Sequence, residues 1–223
     1  MVLFNQQNKK IIIYGINMQA EQLLVYLEAE DVKVEAFCVD KAYYKTAVLR
    51  GKPVICFEDI EDKYPPNEYA IILSFGYKNM ILNREEKFII CKNKGYEIPS
   101  FISRDAKVYT SDIGEGVIIY PNTCIAPFVE IGKGCYFETS CTIAHHSRIG
   151  NFNFFAPGVT TGGAVLIENN CFFGISSVIA SGKTIKSRTM VGAGVCLTAD
   201  TDEGEAFRHS EAIKLSHKPE YYI

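Results

Sequence analysis

The chain has 223 residues, enough for one large or two modest folded units, and its 48% apolar and 22% charged residues are ordinary for a soluble protein. A net charge of −3 offers little attraction to nucleic acid or an anionic membrane surface. No apolar run is long enough to span a bilayer, and the opening MVLFNQQNKK lacks a signal peptide's hydrophobic stretch. Eight cysteines, at 38, 56, 91, 124, 135, 141, 171 and 196, form no CxxC and no cluster with histidine, so the expectation is a reduced cytoplasmic chain without metal.

Residues 10–14 (KIIIY) form a short apolar run closed by Gly15, which suits a buried parallel strand. Residues 19–30 carry Ala20, Leu23, Leu24, Tyr26 and Leu27 at helical spacing, and 32–39 read as a second strand ending at Asp40. Residues 71–73 are a third candidate strand, leading into Ser74-Phe75-Gly76. A helix rich in lysine and glutamate over about 79–94 then stops at Gly95, an ordinary C-cap. This alternation predicts a Rossmann-like α/β domain over 1–98, with Pro99 near its boundary and ligands beyond the carboxyl ends of its strands. Asp40 is placed to hydrogen-bond a base or ribose, Ser74, Gly76 and Asn79 lie at the next strand end, and Arg84 either meets phosphate or is merely solvated.

From Tyr109 the pattern changes to hexads: GEGVII, YPNTCI, APFVEI, GKGCYF, ETSCTI, AHHSRI and onward to GAGVCL. The last position of each, from Ile113 to Leu197, is Ile, Phe, Val or Leu at every step except Thr161. Two residues earlier runs a second column, small or β-branched except at Asn153 and Lys183. Such a period marks a parallel β-helix, in which each repeat buries its apolar face by stacking on its neighbours. Three hexads make one triangular coil, so residues eighteen apart stack at a strand spacing of roughly 4.8 Å, and the run predicts about five coils over 99–204, followed by a tail at 205–223. Cys135, Cys141 and Cys171 fall in the small column, where they read as packing residues.

With its hexads, its opening IIIYGINMQAEQ, FCVD, LRGKPVI, SFGYKNM, the junction GYEIPSFISRDAKV, AHHSRIG and the closing GAGVCLT, the chain resembles the sialic acid O-acetyltransferase-like sugar acyltransferases. These include the nucleotide-sugar N-acetyltransferases of bacillosamine, perosamine and 4-amino-4,6-dideoxyglucose pathways. The resemblance implies a left-handed β-helix, a homotrimer with acetyl-CoA held between adjacent subunits, and an N-terminal domain that binds the sugar's nucleotide through Gly15, Asn17 and the strand-end residues. It further implies acetylation of a dTDP- or UDP-linked 4-amino sugar for surface glycan (lipopolysaccharide) biosynthesis. The chain departs from the family in three places. Only Gly15 remains of a G-x-x-G-H-G loop, Thr198-Ala199-Asp200 replaces T-K-D, and the tail lacks G-x-P-A.

Attack of an amine on a thioester requires a base, for which histidine is suited because its pKa lies near operating pH. His209 and His217 lie in the polar tail. His145 and His146 follow the small Ala144 that opens a hexad, and motif matching gives His145 the base position and His146 the one that is often Asp or Glu. Consecutive side chains are expected to point apart, which weakens a metal reading. A neighbouring histidine cannot orient and charge-stabilise His145 as a carboxylate would, so the orienting group stays open, with another coil or subunit as a candidate source. One coil on is Gly163, where the family glycine offers its amide to the acyl carbonyl; the other reading of this residue is a tight corner. Gly174, Ser181, Gly182, Gly192 and Ala193 are expected along the same face as a pantetheine groove. A sugar O-acetyltransferase and a non-catalytic β-helix scaffold are the alternatives.

Overall fold

A computed structural model describes residues 9–74 and 82–210. The first part is a five-stranded sheet. Strand β1 is Lys10–Tyr14, helix α1 Met18–Ala29, β2 Val34–Val39, β3 Val48–Leu49, β4 Lys52–Cys56, α2 Ile60–Lys63, β5 Tyr69–Leu73 and α3 Leu82–Asn93. The sheet order is β3-β4-β2-β1-β5, parallel except for the β3–β4 hairpin. That hairpin went unread because its Arg50-Gly51 turn is a weaker signal than Asn-Gly. β1 is an interior strand between β2 and β5, and its Ile11, Ile12 and Ile13 are all buried.

From Phe101 to Phe207 the chain winds into a three-sided parallel β-helix of two-residue strands. Its sides are sheets of four, seven and six strands among the described residues. The eighteen-residue register is explicit in the pairs Glu130↔Arg148, Tyr136↔Phe154 and Thr142↔Thr160. Every end-of-hexad residue from Ile119 to Leu197 is buried, and Phe137, Phe155 and Phe173 stack ring on ring at 4.5 and 4.8 Å. Two of the three exceptions, Thr161 and Asn153, have partners for their side chains. Thr161 Oγ1 accepts from Ala144 N–H, while buried Asn153 donates to the Glu168 carbonyl and accepts from Cys171 N–H. Burial pushes the thiols of Cys135, Cys141 and Cys171 up to about 12, consistent with packing rather than reactivity. The ladder begins at Phe101–Ile102 and Lys107–Val108, before the regular hexads.

One side of the prism is covered. Ile118, Tyr136 and Phe154 point out of the seven-stranded sheet and share a core with β1, α1, β5 and Phe88 of α3. The remaining two sides meet at the corner that carries His145.

Candidate active site

The chain turns at this corner between strands Thr142–Ile143 and Arg148–Ile149, which belong to different sheets. His145 and His146 both project into solvent. Their Nδ1 atoms lie 3.0 Å apart and their rings meet edge to face at 5.1 Å. The expectation that these neighbours diverge is therefore corrected. His146 sits in the left-handed region (φ 58°), and that turn swings its ring back onto His145. Two facing Nδ1 atoms need one hydrogen between them. If His145 keeps Nε2 free as a base, its Nδ1–H donates to His146 Nδ1, and His146 carries its own hydrogen on Nε2.

Gly163 lies one coil above, as the register predicts. A Cβ there would stand 2.8 Å from His145 Cε1 and 2.9 Å from Nε2, so the bare glycine is what lets the imidazole edge settle on this backbone. The Gly163 carbonyl accepts from Gly182 N–H, but its own N–H meets no acceptor among the described residues. The contrast is the corner at Lys133, Asn151 and Asn169, where each equivalent N–H is capped by an Asn or Ser oxygen from the next coil. The histidine corner leaves its amide unspent.

Ser181 and Gly182 continue this corner upward, and Gly182 faces open space. Gly174, Gly192 and Ala193 do not. They follow strands Phe172–Phe173 and Met190–Val191 of the covered sheet and form a different corner, because they are no multiple of eighteen residues from Gly163. The single-face groove expected for these five residues is corrected accordingly.

In the α/β part, Gly15 (φ 130°) is fixed by close approach, since a Cβ would stand 2.8 Å from the Ser74 carbonyl. Asn17 caps α1, its Oδ1 accepting from Ala20 N–H at 2.9 Å. Asp40 Oδ1 accepts from Tyr14 Oη at 2.5 Å and Lys87 Nζ at 2.7 Å, and its side chain stays one-fifth exposed. Ser74 is buried at the end of β5, where its N–H pairs with the Tyr14 carbonyl. Gly76, Asn79 and His217 lie outside the described residues.

Arg84 corrects the phosphate reading outright. It is 1% exposed, and its Nε, Nη1 and Nη2 donate to the carbonyls of Gly134, Leu73 and Gly116 at 2.8, 2.7 and 3.1 Å. It lies over the Tyr136 ring at 5.1 Å, and burial lowers its pKa to about 10, so it stays cationic at neutral pH. Lys87 is a second cation here, on the Asp40 carboxylate that follows β2.

The uninterrupted hexads, the eighteen-residue register and the three parallel sheets define a hexapeptide-repeat parallel β-helix with a histidine pair at one corner. The Bacterial transferase hexapeptide (six repeats) family matches residues 110–145. The GDP-perosamine N-acetyltransferase of Escherichia coli O157:H7 is 36% identical over 83 residues, 37% of this chain and 37% of that protein, so the match spans little more than a third of the relative's length. In fold, the chain is similar to the acetyltransferase domain of PglB from Neisseria gonorrhoeae FA1090 in complex with acetyl coenzyme A (TM-score 0.79, 19% identity, 89% of this chain, 95% of that one). It is equally similar to PerB from Caulobacter crescentus in complex with CoA and GDP-perosamine (TM-score 0.80, 20% identity, 89% and 93%). The resemblance to the nucleotide-sugar N-acetyltransferases thus holds in sequence and in fold. Among the described residues no helix is long and apolar enough to cross a membrane, and no group of three or more His, Cys, Asp or Glu side chains could hold a metal ion.

Proposed function

We propose that this chain is an acetyl-CoA-dependent N-acetyltransferase acting on the amino group of a nucleotide-linked amino sugar in the cytoplasm. The observation that carries the reading is the pairing of the His145 Nε2 edge with Gly163, whose N–H is unspent. The acetyl thioester sits above His145 with its carbonyl oxygen toward that N–H. The amine nitrogen attacks the carbonyl carbon, His145 Nε2 takes the amine proton, and collapse breaks the C–S bond to release CoA thiolate and the amide. His146 fixes the His145 ring through the Nδ1 contact, a role for which the sequence names no residue.

A Rossmann-like unit would hold the nucleotide at the carboxyl ends of its strands, with Gly15 and Asp40 at the entrance. That unit covers one side of the prism, whereas His145 lies at the corner of the other two. A sugar bound by one copy therefore serves the histidine of another, which favours the homotrimer. Ser181 and Gly182 of one copy would then face the Gly174–Gly192 corner of its neighbour across the acetyl-CoA groove. Incubation with acetyl-CoA and a panel of GDP-, UDP- and dTDP-linked 4-amino sugars should yield an amide on at least one of them. Ester formation on sugars lacking the amine would move the assignment to O-acetylation, and no product on any would favour the scaffold.

Gly163→Ala tests the contact itself. The new methyl cannot coexist with the ring 2.8 Å away, but an exposed histidine swings aside cheaply. Turnover should fall roughly 10- to 100-fold through the misplaced base while the melting temperature stays within a degree or two. A lowered melting temperature with normal turnover would make Gly163 a corner residue only.

A further inference from the structure

Phe128 stands one coil below the histidines and is hard to explain as part of the fold. The hexads turn through left-handed residues, and most of these sites hold Gly or Asn, which bear that conformation easily, or a small Ser or Ala. Two hold phenylalanine. Phe152 is 1% exposed and packs edge-on against Phe88, so burial accounts for it. Phe128 (φ 63°) is 70% exposed, and one face of its ring lies on His146 at 4.8 Å and 35°. A bulky aromatic held in a costly backbone conformation, open to water and touching a candidate catalytic pair, points to a ligand.

The direction of approach says which. In the proposed mechanism the acyl donor lies above His145, at Gly163 and Ser181. The free path to His145 Nε2 then runs from the earlier coils, past Pro127 and Phe128. The α/β unit flanks these coils as well as the later ones, its shared core running from Ile118 through Tyr136 to Phe154. We infer that Phe128 is a specificity-determining platform on which the acceptor sugar lays its C–H face, favouring a deoxy sugar whose apolar methyl and ring hydrogens cover the phenyl. A flat aromatic offers contact area without hydrogen bonds, so it rewards a sugar that has exchanged a hydroxyl for hydrogen.

The inference rests on the N-acetyltransferase reading, and the test separates the two. With the sugar that the unaltered protein turns over, Phe128→Asn should raise KM for the sugar roughly tenfold or more. KM for acetyl-CoA should stay within about twofold, and preference for the 6-deoxy sugar over its 6-hydroxy analogue should shrink. Asparagine already fills this turn at Asn122 and Asn170, so the variant should melt no lower than the parent. An unchanged KM for the sugar overturns the inference. So does a rise confined to acetyl-CoA, or a change of oligomeric state in light scattering, which would make Phe128 a donor wall or a subunit contact. If the parent acetylates no sugar in the panel, the functional reading itself falls, before any variant is compared.

Discussion

His145→Asn should lower turnover roughly 10²–10⁴-fold, the usual worth of a positioned general base, while acetyl-CoA still binds. Asparagine keeps the size and some of the hydrogen bonding but cannot accept a proton near neutral pH. The donor groove rises along Gly163, Ser181 and Gly182, so its contacts survive the change. His146→Asn should do less, because it removes the acceptor that fixes the His145 ring but leaves Nε2 in place. Steady-state rates and calorimetric titration with CoA check both. If His146→Asn is inactive and His145→Asn nearly normal, the roles are exchanged between the two rings. Full activity in both would mean that the amine arrives deprotonated and positioning alone carries the reaction.

The core was legible because a six-residue period repeats one physical demand: a large apolar residue inward, with a small one two places before it. Ile119 to Leu197 satisfy that demand at every step but Thr161 in the large column and Asn153 and Lys183 in the small one, and the same arithmetic put Gly163 over His145. The same eighteen-residue count excludes Gly174 and Gly192 from that edge. Other features leave no sequence signal. The meeting of His145 and His146 depends on which residue of the turn is left-handed. The partners of Arg84 are three backbone carbonyls, which any sequence supplies, so nothing in the helix distinguishes a buried guanidinium from a solvated one.

Arg84→Met should cost about 2–4 kcal/mol of stability. The Leu73 carbonyl ends β5, while those of Gly134 and Gly116 belong to one β-helix corner in successive coils, so one planar fork ties the α/β sheet to the prism. Methionine fills much of the space but leaves three carbonyls unpaired, at about 1–3 kcal/mol each. Release of a cation that no carboxylate neutralises offsets part of that loss, which is why the net falls well below the sum. Arg84→Lys should rescue little. A compact ammonium cannot span acceptors on three segments, and it is more strongly hydrated than a guanidinium, hence costlier to bury. Urea unfolding followed by circular dichroism gives the midpoint, and steady-state kinetics gives KM for the sugar. A structural tie predicts a lower midpoint in both variants. An unchanged midpoint with a raised KM for the nucleotide sugar would instead mean that the guanidinium swings out to meet phosphate, returning Arg84 to the substrate site.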